Sequence, residues 1–572
     1  MTLPTAPPRL RWLPQATALG CAAAFLVWLR PYGLEVSRDG AHYLYLAFRM
    51  EHVAFTIDGG GYPIGYPLLL WGAMQLFPLP LDAALAIDVV SLFATLSASA
   101  WLLSRATRQP ALAALAVLAL ATLPPFLWIH TNALSEAPFA ALVVLHVAFV
   151  VEHARSGRVR DLILAASVAG AAVLVRYIGY ALVLTFSGYV LWQAWEARRE
   201  LRRLAQIALA HALCWVPSAA IALAHAFAGR RVHGNRGASA EPLGLNIERA
   251  ATSLWHDLGW AVSFAWAVTL VLALASWRTL RRARTTQAAA PGAISVTTVG
   301  DWLRQQAVLV YPLLLVIVYA AAIVVAATAT RISPVGSRFF APFHPLFIVV
   351  GSAGAGLARG RARRFASVAI AAAWLALIAH DLRQPFAWRG FAPTAASDPR
   401  TRAGMFAYAA SPAARSLSAF VRERAREGAS LSNLEPVRQG GQHPALARTL
   451  LFARASLPSA AGTARYAFLG DPGFGFGVRF ADGTGLDYRD LPIRAKDTLS
   501  AQALIDGVAR VMEGADLHEH WLLVPIAFDP FARVAAPLRA RVLPAERRDI
   551  GPYRAYRFVR PPAAASRSSP RE

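Results

Sequence analysis

The stretch 34–49, LEVSRDGAHYLYLAFR, sets a carboxylate and an imidazole one turn apart on a short amphipathic segment. Asp39 stands at its start, and His42, Tyr43, Leu46 and Arg49 recur at helical spacing. A carboxylate held at a membrane–water boundary can serve as a general base or as a metal ligand. An aspartate at that position is equally the ordinary helix cap, so spacing leaves both roles open. His42 taken alone is equally a surface or interface histidine. Asp58, beside Gly59, Gly60 and Gly61, has the setting of a turn former. Further on, Glu136, Arg176 and Arg338 each flank a long apolar run, and Asp88 lies inside one. Ionisable groups near a bilayer normally face a bundle interior or a water-filled cavity, and they mark function by default. The plainer roles are a helix cap for Glu136 and snorkelling anchors for the two arginines. His130 and His344, single histidines at the ends of apolar runs, read as structural.

These residues need a membrane scaffold, and the composition supplies one. Of 572 residues, 56% are apolar and 16% charged, and the mean hydropathy is +0.41. Soluble domains carry about 25% charged residues, so neither a set of soluble domains nor a disordered chain fits. A scan for runs of about 20 apolar residues gives candidate spans near 14–32, 83–104, 111–129, 134–151, 161–177 and 179–195. Others fall near 204–228, 257–277, 306–328, 338–358 and 365–381, about eleven in all. The net charge of +24 comes from basic residues that are nearly all arginine; Lys496 is the single lysine. Many of the arginines sit in clusters between spans: 9 and 11, 105 and 108, 155–160, 198–203, 278–284 and 359–364. All fall on one side if the N-terminus is cytoplasmic, which is the positive-inside pattern and excludes nucleic acid as the reason for the charge.

Residues 62–78 are apolar but open on prolines, and counting them as a span would move every later arginine cluster outside. They read as a juxtamembrane or re-entrant helix within a long first outer loop, 33–82. The expected layout is a transmembrane module over 1–390, an outer α/β or α+β domain over 391–560 and a disordered tail over 561–572. Within the outer domain, 412–427 has helical spacing, and 466–469 and 521–527 read as strands. Cys21 and Cys214 lie far apart inside apolar runs and read as buried hydrophobes. The chain shows no internal repeat.

The order of motifs carries a resemblance. Arg38-Asp39-Gly40-Ala41-His42-Tyr43, followed by Tyr62-Pro63-x-Gly65-Tyr66-Pro67 and three leucines, resembles the first loop of lipid-dependent GT-C glycosyltransferases. These are the relatives of the protein O-mannosyltransferases and of the aminoarabinose transferase that modifies lipid A. Leu134-Ser135-Glu136-Ala137-Pro138-Phe139 resembles that family's "S-E-x-L-F" opening of a span, and Arg176-Tyr177-Ile178-Gly179-Tyr180 its "R-Y-x-G-L" turn. Ser337-Arg338-Phe339-Phe340-Ala341-Pro342 with Pro345 resembles the "D-R-Y-L-x-P-x-x-P" start of a late span.

The resemblance implies an inner-membrane enzyme of a bacterial cell, with its C-terminal domain in the periplasm. It implies sugar transfer from a polyprenyl-phosphate carrier to an extracytoplasmic lipid, glycan or protein. Asp39 matches the family's catalytic carboxylate. Arg38, His42, Tyr43, Tyr66, Glu136, Arg176 and Arg338 are the candidates for binding substrate or phosphate, for which the permanently charged guanidinium fork is suited. Gly336 and Ser337 stand where members often carry an acidic residue, and the first loop lacks a second histidine, so dependence on a divalent cation stays open. The competing reading is a transporter, or a membrane protein that binds lipid-linked sugar without transferring it. A transporter would be expected to show repeat symmetry and broken helices at mid-membrane.

Overall fold

The computed structural model describes residues 8–29, 63–77, 80–227, 241–287, 304–330, 335–383, 501–514, 519–525, 543–550 and 553–559, with shorter pieces elsewhere. By packing, the chain divides into one unit of residues 1–31 and 56–392 and a second of 32–55 and 393–572.

The described residues of the first unit are mainly helical. Its elements are α1 (Leu13–Leu29), α2 (Gly65–Met74), α3 (Pro80–Thr107), α4 (Pro110–Thr122), α5 (Pro124–Ile129), α6 (Glu136–Ser156), α7 (Val159–Val175) and α8 (Tyr180–Glu196). There follow α9 (Leu201–Phe227), α10 (Leu243–Gln287), α11 (Ala307–Ala329), the broken run α12 (Ser337–Phe340), α13 (His344–Ser352) and α14 (Gly354–Leu357), and α15 (Gly360–Arg383). Among the described residues, eight helical segments are long and apolar enough to cross a membrane. The remaining three expected spans are helical but shorter: α4 has 13 residues, and α7 and α8 have 17 each. The span expected at 111–129 is broken at Leu123, whose extended backbone precedes Pro124, as the steric clash with a following proline ring requires. The apolar stretch 62–78 forms only the ten-residue α2, about 15 Å long and too short to cross.

Packing separates inner helices from lipid-facing ones. The run 337–357 and helix α6 are the most enclosed, whereas α1, α9 and α10 keep most of their surface open. The open surface is apolar: Val27, Val90, Leu191 and Trp195 are each more than 60% exposed. That arrangement suits lipid, where apolar side chains incur no cost outside the core. Two glycines set the close approaches that matter below. A Cβ at Gly65 would lie 2.6 Å from the Leu174 carbonyl carbon, and one at Gly179 would lie 2.5 Å from that of Ala172. Both therefore let backbone touch backbone around the C-terminal end of α7. In α10, Gly259 takes φ 59° and ψ −164° and splits the helix in two, a conformation open essentially to glycine alone.

In the second unit, β4 (Asp487–Tyr488), β1 (Ser430–Asn433), β5 (Glu519–Pro525), β7 (Tyr553–Val559) and β6 (Leu543–Ile550) form one sheet in that order. The β4–β1–β5 pairings are parallel, and β5–β7–β6 are antiparallel. A two-stranded ladder joins β2 (Ala467–Phe468) to β3 (Arg479–Phe480). The expected strands at 466–469 and 521–527 are β2 and β5. Helix α16 (Ala501–Gly514) covers its apolar face with Ile505, Val508, Ala509 and Met512, all buried at helical spacing. In the first-loop segment of this unit, Tyr43, Leu46 and Ala47 are helical and buried, as the period of that stretch suggests. Most of the expected helix 412–427 and the tail 561–572 lie outside the described residues.

Candidate functional site

Three elements bring opposite charges together at one end of the first unit. Glu136 opens α6 and is fully buried. Its Oε1 accepts a bond from Arg176 Nη1 at 2.7 Å and another from Arg338 Nε. Arg176 also donates to the Ser135 hydroxyl at 3.1 Å. One carboxylate thus holds two guanidiniums that lie 40 and 202 residues away in the chain. A buried carboxylate is tolerated only when paired and hydrogen-bonded in this way.

Each arginine is placed by its own local device. Arg176 caps α7 in an extended conformation, and its N–H still donates to the Ala172 carbonyl. The following turn folds back so that the Gly179 N–H donates to the Arg176 carbonyl at 2.8 Å, a path that only a side chain the size of hydrogen at 179 permits. Arg338 sits on the first turn of α12. Tyr319 of α11 donates its hydroxyl to the Phe339 carbonyl at 2.5 Å and stacks on Phe343 with ring centroids 3.6 Å apart. Ser337, next to Arg338, donates to Asp257 Oδ1 at 2.6 Å. The sequence has no acidic residue at 336 or 337, and this contact supplies one from α10, 80 residues away. Asp257 Oδ2 in turn lies 3.5 Å from Nε2 of the fully buried His344. Neither Asp257 nor His344 stood among the expected binding residues.

Arg338 and Asp257 also line a cavity of about 770 Å³. Trp128, Trp255 and Trp260 give it an aromatic wall, and Asp381 adds a second buried carboxyl group. The break at Gly259 turns the chain along this wall. Its volume is that of an ordinary ligand site, and its mix of apolar surface with a few polar groups is typical of one.

Of the other sequence candidates, Tyr66 is wholly buried on the first turn of α2, and Tyr43 is buried in the first-loop helix. Arg38, Asp39, His42 and Asp58 lie outside the described residues. Asp88 is buried within α3, and neither carboxyl oxygen has a hydrogen-bond partner among the described residues. His130 packs edge-on against Phe126 at 4.9 Å, and burial pushes its imidazole down to about 3, so it stays neutral. His146, which the sequence did not single out, bridges α6, α7 and α11. Its Nδ1–H donates to the Ala165 carbonyl at 2.9 Å, and its Nε2 accepts from the Tyr311 hydroxyl at 2.6 Å. Among the described residues, no three His, Cys, Asp or Glu side chains converge as metal ligands do.

Two solved structures resemble the chain. The crystal structure of ArnT from Cupriavidus metallidurans in the apo state matches with a TM-score of 0.48 and 12% identity, over 94% of this chain and 97% of that one. The structure of ArnT from the same organism bound to undecaprenyl phosphate matches with a TM-score of 0.45 and 12% identity, over 95% and 97%. No curated protein sequence matches at significance. Residues 62–221 match the family described as dolichyl-phosphate-mannose-protein mannosyltransferase. That segment runs from the Tyr-Pro-rich helix through Glu136 and Arg176, so over these residues the chain is similar to that family of membrane glycosyltransferases.

Proposed function

We propose that this protein transfers a sugar from a polyprenyl-phosphate-linked donor to a hydroxyl or amine of an extracytoplasmic acceptor. The observation that carries the reading is the Arg176–Glu136–Arg338 cluster around a fully buried carboxylate, with Arg338 on the wall of the 770 Å³ cavity. Glu136 neutralises part of the cluster's charge and fixes the direction of both forks. Such a preorganised site suits a phosphate that gains charge as it departs. The matched family takes its name from a dolichyl-phosphate sugar, which belongs to the same chemical class of donor.

In this scheme the acceptor oxygen or nitrogen attacks the anomeric carbon, and the bond from that carbon to the phosphate oxygen breaks. The bonding electrons leave with the lipid phosphate, steadied by Arg176 and Arg338. The acceptor proton passes to Asp39, the catalytic carboxylate, with Arg38, His42, Tyr43 and Tyr66 as further substrate contacts. Positioning and charge stabilisation supply most of the rate. The arginine clusters orient the protein in the inner membrane of a bacterial cell with the N-terminus cytoplasmic. Residues 1–390 then form the transmembrane module and 391–560 a periplasmic domain.

The test is transfer from a radiolabelled polyprenyl-phosphate sugar in membranes holding the protein or its Asp39→Asn variant. Mass spectrometry of envelope glycans in a deletion strain identifies the sugar and acceptor to use. Loss of transfer in the correctly inserted variant supports the scheme. Full activity of that variant removes Asp39 from the reaction, and loss of no glycan, lipid or protein modification on deletion overturns the scheme as a whole.

A further inference from the structure

A second charged cavity lies at the opposite end of the same bundle. Helix α6 carries Glu136 in its first turn and Arg155 in its last, about 28 Å apart at 1.5 Å per residue. That distance is close to the thickness of a hydrocarbon core. Around Arg155 a cavity of about 340 Å³ is lined by Arg105 from the last turn of α3, Arg108 from the α3–α4 turn, and Arg304 with Gln305 and Gln306 ahead of α11.

The charges here do not balance. Arg105 and Arg155 share one carboxylate, Glu152, at 3.8 and 3.6 Å. Arg304 pairs with Glu196. Among the described residues the Arg108 guanidinium meets no carboxylate. Among the described residues, Arg105 and Arg155 thus share one carboxylate and Arg108 has none, an excess suited to a phosphate carrying one or two negative charges.

The backbone is committed to this arrangement. Arg108 takes φ 55°, the one non-glycine residue with positive φ among the described residues. Such a conformation persists only where its surroundings impose it, and it concentrates at ligand sites. Here the surroundings are specific. Arg363 Nη2 donates to the Arg108 carbonyl at 3.0 Å, the Gln109 amide donates to Ser367 at 2.6 Å, and the Gln109 N–H donates to Thr107 Oγ1 at 3.1 Å. On the cavity floor, Gly356 lets α14 reach the end of α3, since a Cβ there would lie 2.0 Å from the Ala106 carbonyl oxygen. Arginines that serve only to orient the chain need a common side of the membrane. They need neither convergence from three separated stretches of sequence nor a strained turn clamped from α15.

We propose that this cavity binds the phosphate of an anionic ligand at the arginine-rich face of the membrane. The phosphate belongs either to a phospholipid head group of that leaflet or to a soluble diphosphate. Basic pockets between helices are suited to both. The inference is independent of the sugar-transfer scheme, because it concerns the far end of the bundle and is read by binding alone.

The experiment uses the full chain, delipidated in a neutral detergent, with binding followed at constant ionic strength. The probes are dihexanoyl phosphatidylglycerol, dihexanoyl phosphatidylcholine and inorganic pyrophosphate. Arg108→Gly removes the guanidinium while keeping a residue at ease with positive φ, so the turn survives; Arg155→Gln tests the site from α6. Arg198→Ala, an exposed arginine stacked on Trp195 outside the cavity, is the control. Saturable binding of phosphatidylglycerol or pyrophosphate is expected, weakened about tenfold by R108G and by R155Q and unchanged within about twofold by R198A. Binding of the lipid alone assigns the leaflet as the source, and binding of pyrophosphate alone assigns a soluble ligand. The proposal is overturned if neither anion binds, if phosphatidylcholine binds as well as phosphatidylglycerol and pyrophosphate does not bind, or if R198A weakens binding as much as R108G.

Discussion

Replacing Glu136 with glutamine keeps the shape of the side chain and removes its charge from between two guanidiniums. The Arg176 side chain is 14% exposed, that of Arg338 30%, and that of Glu136 not at all. At 2.7 Å, the attraction to Arg176 alone is about 6 kcal/mol at an effective dielectric of about 20. Desolvation of the carboxylate takes back several kcal/mol of that. Cutting one partner out of a buried pair costs about 3–5 kcal/mol in net stability. Both arginines reach some water, which puts the expected loss near the low end, about 3 kcal/mol or two decades in the folding equilibrium. Unfolding of the purified variant in mixed detergent micelles measures this directly. The same variant should lose sugar transfer mainly through a raised KM for the donor, because the forks are no longer aimed. A cycle with Arg338→Gln should show strong coupling, the double variant being less damaged than the sum of the singles. If E136Q unfolds and transfers like the parent, or the cycle is additive, the carboxylate does not organise these arginines and the site assignment fails.

Three further outcomes are expected. Gly179→Ala drives a methyl group into the Ala172 carbonyl and should cost about 1–3 kcal/mol; unfolding midpoints check the cost, and transfer should fall as Arg176 is displaced. Tyr311→Phe leaves His146 Nε2 buried without its donor, for a loss of about 1–3 kcal/mol, whereas Tyr180→Phe, with no hydroxyl bond to His146, should leave stability near that of the parent. In the second unit, Arg554 donates to both oxygens of Asp549 at 2.6 and 2.9 Å and holds that carboxyl below its usual range. A depressed folded pKa stabilises the fold above the unfolded value and ceases to do so as pH falls through the folded one. Amide exchange over 543–559 should therefore be insensitive to this pair above about pH 4 and accelerate below it, and Asp549→Asn should lack that acid-dependent step.

Much of the helical layout was legible in the sequence. Hydropathy acts through local composition, because a segment in lipid must satisfy its own backbone as a helix. Among the described residues, eight of the eleven expected spans are helices long and apolar enough to cross, the other three are shorter or broken, and α2 stops short of spanning, as its prolines and length suggest. What composition did not convey was length within a segment: Pro124 cuts one run in two, while α7 and α8 are shorter than a full crossing. In the second unit, strand β5 was readable from an apolar run, but the β6–β7 hairpin was not. Its residues LPAERRDI and YRAYRFV carry little alternation that distinguishes a strand from a loop.

The sequence by itself determined that this is a multi-pass membrane protein, and its motifs pointed to Glu136, Arg176 and Arg338 one at a time. Only the tertiary structure decided that one carboxylate serves both arginines, that Asp257 meets Ser337, and that Arg338 borders a large cavity. The physical reason is the range of the interactions. Helix formation is set by neighbours within a few residues, whereas these ion pairs close over 40 to 202 residues and depend on which helix ends the packing brings together. The same holds at the other face, where no rule of residue preference would give Arg108 a positive φ. That turn exists because α15 grips it, and a grip from 255 residues away is invisible in the chain until it folds.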